Sequence, residues 1–157
     1  MSGSGFVWVR PPSALAQDFV DYGKVVKTML HAAASKWGQE TADDARQNAV
    51  WEDRTGNARS GIFYAVDGLG EGTKIGKVDV GVDYFKNSAG AVVNRGRTYS
   101  KDDESGDANT VVIAISHTVW YGQKLELSNG GRYAIIMSTI ENRLPQLESL
   151  VRKVFGN

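Results

Sequence analysis

From Leu15 onward, large apolar residues recur every three or four positions, at Leu15, Phe19, Tyr22, Val26, Met29, Leu30, Ala33 and Trp37. Asp18, Asp21, Lys24, Lys27 and Lys36 fall between them. Apolar groups at that spacing share one side of a 3.6-residue helix, so the segment reads as a single amphipathic helix. Beyond Gly38 the stripe continues in small residues, Ala42, Ala45 and Ala49, while Asp43, Asp44 and Arg46 lie off it. Small side chains there suit close approach to a sheet or a second helix. Pro11-Pro12 imposes an extended entry over residues 1–12 and leaves Ser13 as the candidate cap of a helix over 13–49. Unbroken, that helix would reach about 50 Å at 1.5 Å per residue, more than the width of a domain this small. Either it kinks, with Gly23 and Gly38 as the places, or its end projects onto a neighbouring subunit.

After the helix the apolar period falls to two. Ile62, Tyr64 and Val66 alternate with Phe63 and Ala65 in one strand, and Val78, Val80 and Val82 alternate with Asp79, Gly81 and Asp83 in another. The glycine-rich stretch 67–73 between them reads as a hairpin connection. Residues 110–119 carry apolar groups on both sides, which predicts a strand buried on both faces. Residues 132–137 read as a further strand, completing a sheet region over 62–137. The segment 85–109 has almost no apolar pattern and is long for a connection inside a compact domain, so a hairpin or binding loop is expected there. Helical spacing returns over 139–155, at Ile140, Leu144, Leu147, Leu150, Val151 and Val154. Pro145 inside it implies a helix starting near Leu144 or a separate preceding turn.

Composition narrows the function classes. The 157 residues fit one domain, 1–157, and 18 Lys+Arg against 18 Asp+Glu leave no net charge. Neutrality argues against a nucleic-acid or anionic-membrane binder, since both rely on a basic surface. The absence of cysteine excludes thiolate metal sites and a cysteine nucleophile and fits a reducing compartment. No apolar run approaches a membrane span, and Met1-Ser2-Gly3-Ser4-Gly5 lacks the regions of a signal peptide, so use in a cytosol is expected. The 18 glycines sit outside the helices for the most part, at strand corners and in loops.

Catalytic patterns are thin. Of the two histidines, His31 reads as a helix-flank residue, and His117 ends a strand, where hydrogen bonding to the backbone is the plainer role. Neither begins a metal-binding spacing, and no cofactor or metal is expected. Gly68-Leu69-Gly70-Glu71-Gly72 superficially resembles a phosphate loop, but a strand follows it where a helix N-terminus is needed. Arg95 and Arg97 make a small basic spot diluted by Asp102, Asp103, Glu104 and Asp107.

Two segments are denser in information. In the first, Asp53, Thr55 and Gly56 occupy turn positions between helix and strand, Trp51 anchors the turn, and Arg54 and Arg59 bring two guanidinium forks. A rigid helix-to-strand corner is the simpler reading; a docking surface is the functional one, because Trp and Arg are enriched at interface hot spots. In the second, Tyr121, Leu125 and Ser128 mark a short helix closed by Asn129-Gly130-Gly131, with Glu126 a candidate partner for Arg59 or Arg132.

Together these segments resemble the neck or tail-completion proteins of long-tailed bacteriophages, a family described as minor tail or morphogenesis proteins. The residues that carry the resemblance are the long helix ending in Asn48-Ala49, the run Asp53-Arg54-Thr55-Gly56-Asn57-Ala58-Arg59 with Gly61-Ile62, and downstream His117, Tyr121, Leu125-Glu126 and Gly131-Arg132-Tyr133-Ala134-Ile135-Ile136. They follow the family order over most of the chain. Val50 and Ser138-Thr139 depart from it, where a proline before the aromatic and Pro-Thr are usual. The resemblance implies a tail-terminator-like α+β fold: a mainly antiparallel sheet of about four strands packed by the long N-terminal helix and a C-terminal helix, with a long β-hairpin-like loop. It also implies a non-enzymatic virion component that forms a ring, often a hexamer, at the head–tail junction. Its partners would be its own copies, the tail tube protein and the connector, adaptor or stopper proteins of the head, with no membrane and no sequence-specific nucleic acid. Trp51, Asp53, Arg54, Thr55, Gly56, Arg59, Arg95, Arg97, Tyr121, Glu126 and Arg132 are the candidate interface residues. The competing expectations are a small cytosolic hydrolase using His117 with Glu126 or Asp83, and a monomeric ligand-binding module.

Overall fold

The computed structural model describes residues 9–51, 57–72, 74–75, 84–86, 92–94, 107–119 and 121–156. Helices at the two ends of the chain flank an antiparallel sheet. The elements are α1 (Pro12–Asn48), α2 (Asn57–Ser60), β1 (Ile62–Gly68), β2 (Lys74–Ile75), β3 (Tyr84–Lys86), β4 (Val92–Asn94), β5 (Val111–His117), α3 (Gly122–Leu127) and α4 (Ile136–Val154). β1 lies between β2 and β5, and its long pairing with β5 runs in register from Ile62↔His117 to Gly68↔Val111. The glycine-rich turn after β1 does return the chain antiparallel, with Val66 opposite Lys74. It uses positive φ at Gly68, Gly70 and Gly72, and also at Leu69, whose N–H bonds the Asp107 and Thr110 carbonyls. β3 and β4 pair antiparallel, Tyr84↔Asn94, which places a two-stranded ribbon in the stretch expected to be hairpin-like. The expected strand at Val78, Val80 and Val82, and residues 87–91 and 95–106 of the loop, lie outside the described residues.

α1 is one 37-residue helix, about 55 Å long, and Gly23 and Gly38 do not break it. It starts one residue earlier than expected: Pro11 occupies the cap position with no side-chain bond, and Pro12, which has no N–H to satisfy, opens the helix instead of a Ser13 cap. Its C-terminal half is the spine of the core. Ala34, Ala42 and Ala45 are buried against Ile62, Tyr64 and Val66 of β1, and every residue of β1 is buried. Gly38 is the point of closest approach: a Cβ built there would stand 2.9 Å from Tyr64 Cδ2 and 3.4 Å from Ile113 Cγ2. His31, expected on the helix flank, is buried, with Nε2 3.1 Å from the Gly72 carbonyl oxygen. The N-terminal half differs. No residue from 12 to 30 is buried, and Phe19 is 68% exposed.

α4 packs on α1 through polar contacts around a buried indole. Trp37 Nε1 donates to the Arg143 carbonyl at 2.8 Å, Arg143 Nη2 donates to Glu40 Oε2 at 2.7 Å, and its Nη1 meets Asp44. Gln146 adds a bond to Glu40 at 2.9 Å. These contacts hold α4 through Pro145, so the helix neither begins near Leu144 nor needs a preceding turn. Glu141, whose carbonyl loses its donor to the proline, is exposed like Pro145, so water is in reach. Two further expectations are corrected. β5 is half-buried rather than buried on both faces; among the described residues it pairs with β1, which takes the central place under α1. Residues 132–137 are not a strand: a turn leads into α4, which begins at Ile136.

The contrast between the two helix glycines is testable. Alanine in a helix interior is worth about 1 kcal/mol over glycine, but an overpacked core costs roughly 1–3 kcal/mol. Gly38→Ala should lower the urea midpoint, because the buried Tyr64 ring cannot yield, whereas Gly23→Ala, with nothing within 4 Å of the new methyl, should not. A Gly38→Ala variant as stable as the parent would show that α1 can shift off β1 at little cost.

Candidate functional site

The described members of both dense segments meet at the end of the sheet where Ile62 opposes His117. α1 ends just before, and the last turn of any helix leaves carbonyls without donors. Arg59 supplies them from α2: its Nη2 donates to the Ala49 carbonyl at 2.9 Å and the Trp51 carbonyl at 3.2 Å, and Nη1 reaches the Arg46 carbonyl at 3.4 Å. Arg46 in turn donates from Nε to the Ile62 carbonyl at 2.9 Å and from Nη1 to Asp43. The two guanidiniums thus tie the helix end to the first residue of β1. Trp51 is only 8% exposed, and its ring lies 6.0 Å from that of His117, tilted by 51°. In this chain Trp51 and Arg59 build the corner itself.

On the other side of His117 the chain turns into α3. Gly122 makes that turn possible, since a Cβ there would fall 2.3 Å from His117 Cβ. Tyr121 and Leu125 are half-buried against the core. α3 then carries Glu126 back toward the strand end, where its Oε1 stands 3.2 Å from His117 Nε2. The same carboxylate accepts the backbone N–H groups of Ile135 and Ile136, at 3.2 and 3.1 Å to Oε2. Those amides open α4, which has no capping side chain of its own. Glu126 is therefore an N-terminal cap delivered from another helix, placed where the helix dipole favours negative charge. It does not pair with Arg59 or Arg132, as expected from residue types. Arg132 lies over the Tyr133 ring, 5.7 Å from its centroid.

Burial pushes the Glu126 carboxyl upward, but the hydrogen bond from His117, those from the Ile135 and Ile136 amides and the charge on His117 together pull it down, below its ordinary 4.5. An ionised Glu126 only accepts, so His117 Nε2 carries the proton and donates. His117 Nδ1 and Trp51 Nε1 are buried without a hydrogen-bond partner. Beside this joint opens a cleft of about 770 Å³. The end of β5, α3 and the first turns of α4 line it, through Ile115, Val119, Leu127, Ala134, Ile136, Met137 and Ile140, with His117 and Glu126 among the polar groups. Leu127 and Met137 are exposed at 73% and 61%. Asp53, Arg54, Thr55, Gly56, Asp83, Arg95 and Arg97 lie outside the described residues. Among the described residues no three His, Asp or Glu side chains are grouped to hold a metal ion, and no helix is long and apolar enough to cross a membrane.

Sequence reasoning missed Arg46, Gly122 and the cleft walls. Nothing in one sequence distinguishes Gly122 from a loop glycine, because its constraint is a close approach to the β carbon of His117 that only the folded turn creates.

The sign of the Glu126 effect follows from its lowered pKa. The folded state holds the carboxylate ionised more firmly than the unfolded chain does, so this stabilisation is full above the ordinary value and is lost as pH falls through the folded one. Glu126→Gln should cost about 1–2 kcal/mol at pH 7, the worth of a helix cap, and the difference from the parent should shrink toward pH 3. Urea unfolding at several pH values measures it; an offset that is constant with pH would deny the carboxylate this role.

No protein-family model matches the chain, and neither a curated protein nor a solved structure was found to be similar to it.

Proposed function

We propose that the chain is a structural virion protein of a tailed bacteriophage, a tail-completion or tail-terminator subunit that forms a ring at the head–tail junction. The observation that carries this reading is α1. Its first half presents Leu15, Phe19, Tyr22 and Met29 to solvent at helical spacing, and a subunit with such a face is built for neighbours. The second support is that Arg59, His117, Tyr121, Leu125, Glu126 and Ile135-Ile136, which carry the resemblance to neck proteins, gather at one joint of the fold. Residues that share one structural task are a stronger match than the same residues scattered. The ring, the tail tube protein and the head connector proteins as partners, a place in the virion and the absence of enzymatic activity all belong to this proposal. So does the finer architecture, a sheet of about four strands, with the alternation at Val78, Val80 and Val82 as its basis for one more strand.

A second reading, a small hydrolase, has one observation in its favour, the His117–Glu126 contact beside the cleft. In it Nε2 is already engaged by Glu126, and the other ring nitrogen, Nδ1, is buried.

In a tailed phage that encodes this chain, a nonsense mutation in its gene should yield filled heads and separate tails. Adding the purified protein to that lysate should restore joined particles, with ring-shaped density on the tails by negative stain. Normal particles from the mutant would overturn the proposal. Ester or peptide hydrolysis that His117→Asn abolishes would favour the second reading.

A further inference from the structure

The sheet carries an open edge along β5. Leu69 N–H bonds the Thr110 carbonyl and Thr118 N–H bonds the Gly61 carbonyl, which fixes the phase of the β1–β5 ladder. Backbone groups of an antiparallel strand point alternately to its two sides. Val112, Ala114 and Ser116 therefore turn theirs toward β1, whereas Val111, Ile113 and Ile115 turn theirs away. The N–H and C=O groups of those last three find no partner among the described residues. Natural proteins guard such an edge with charge, proline, a bulge or a very short strand. Val111–His117 is seven residues long, contains no Lys, Arg, Asp, Glu, Pro or Gly, and pairs with β1 in unbroken register. What satisfies a row of main-chain donors and acceptors at this spacing is another strand.

The same chain holds a ribbon without a sheet. β3 and β4 pair with each other, three residues to a strand, and among the described elements the ribbon has no extensive contact with any other. A lone two-stranded ribbon is marginal in water. The outer edge of β3 ends in Lys86, a charge that guards against pairing, whereas β4 is Val92-Val93-Asn94, uncharged and rich in β-branched residues. Within one chain the ribbon and β5 belong to separate sheets. We infer that β4 of one copy pairs along the open edge of β5 in the next, so that the sheet of each copy continues into its neighbour's ribbon.

The two surfaces differ, so the contact is heterologous, and repeating it closes a ring or extends a filament. A few main-chain bonds make a small joint. In a closed ring each copy is held at both its edge and its ribbon, and leaving breaks both contacts at once. The inference rests on the proposed ring for that closure.

Hydrogen exchange read amide by amide tests it, because it separates the two sides of one strand. In dilute, monomeric protein the amides of Val111, Ile113 and Ile115 should exchange quickly and those of Val112, Ala114 and Ser116 slowly. In the assembled parent, sized by native mass spectrometry, the fast set should slow by roughly tenfold or more. Ser116→Lys places a guarding charge at an exposed position of the edge, and Val93→Pro breaks β4 in a ribbon apart from the core. Both variants should keep the parent's circular dichroism, stay monomeric and retain the alternation of fast and slow amides. An assembled parent whose Ile113 and Ile115 amides still exchange quickly would overturn the contact and leave the ring reading standing. Slow exchange of those amides in the dilute monomer would show the edge covered within one chain, and slow exchange in an assembly of Val93→Pro would show another segment on it; either overturns the inference. A parent that stays monomeric at every concentration would overturn the ring reading and this contact together.

Discussion

The close approach of α1 to β1 is the constraint from which the rest of the structure follows. Gly38, Ala42 and Ala45 let the helix backbone lie against Ile62, Tyr64 and Val66, and this makes β1 the fully buried centre of the sheet. Once β1 is central, β5 becomes its outer neighbour and is covered on fewer sides. α4 then closes the remaining flank of α1 through Trp37 and Arg143. Large residues along the second half of α1 would hold the layers apart, and the polar ties at both ends of the helix would lose their reach.

Those ties work by one principle at two places. Arg59 satisfies carbonyls at the end of α1, and Glu126 satisfies amides at the start of α4. In each case the partner comes from a different element, so a local requirement of a helix terminus becomes a tertiary contact. His117 links the two, in ring contact with Trp51 on one side and bonded to Glu126 on the other. The charged residues that look chemical in the sequence are here used to end helices.

The parts legible in the sequence are those written in local periodicity. The stripe from Leu15 to Trp37 marks α1 and the alternation around Tyr64 marks β1, whereas the glycines at 130 and 131, both with positive φ, lie in a separate turn after α3, which already ends at Leu127 with Ser128 as an extended cap. The failures have a common source in partners that lie on other elements. The run Tyr133-Ala134-Ile135-Ile136-Met137 has no decisive period, and a carboxylate nine residues before Ile135 turns it into a helix start. Pro145 ends no helix because Arg143 and Gln146 are held to α1. Glu126 and Arg59 could be picked out by type, but their partners depend on which chain ends the sheet brings together.

The uneven cover along α1 gives one helix two stabilities. From His31 on it shares the fate of the core, whereas residues 12–26 are about the shortest helix that holds together in water unaided. Opening of that outer part would break none of the buried contacts of the core, and covering its apolar side would remove whatever conformational freedom it has. The entropy lost weakens each single contact relative to its area. A partner that docked on this segment would therefore be held less tightly than its contact area suggests and would come off readily.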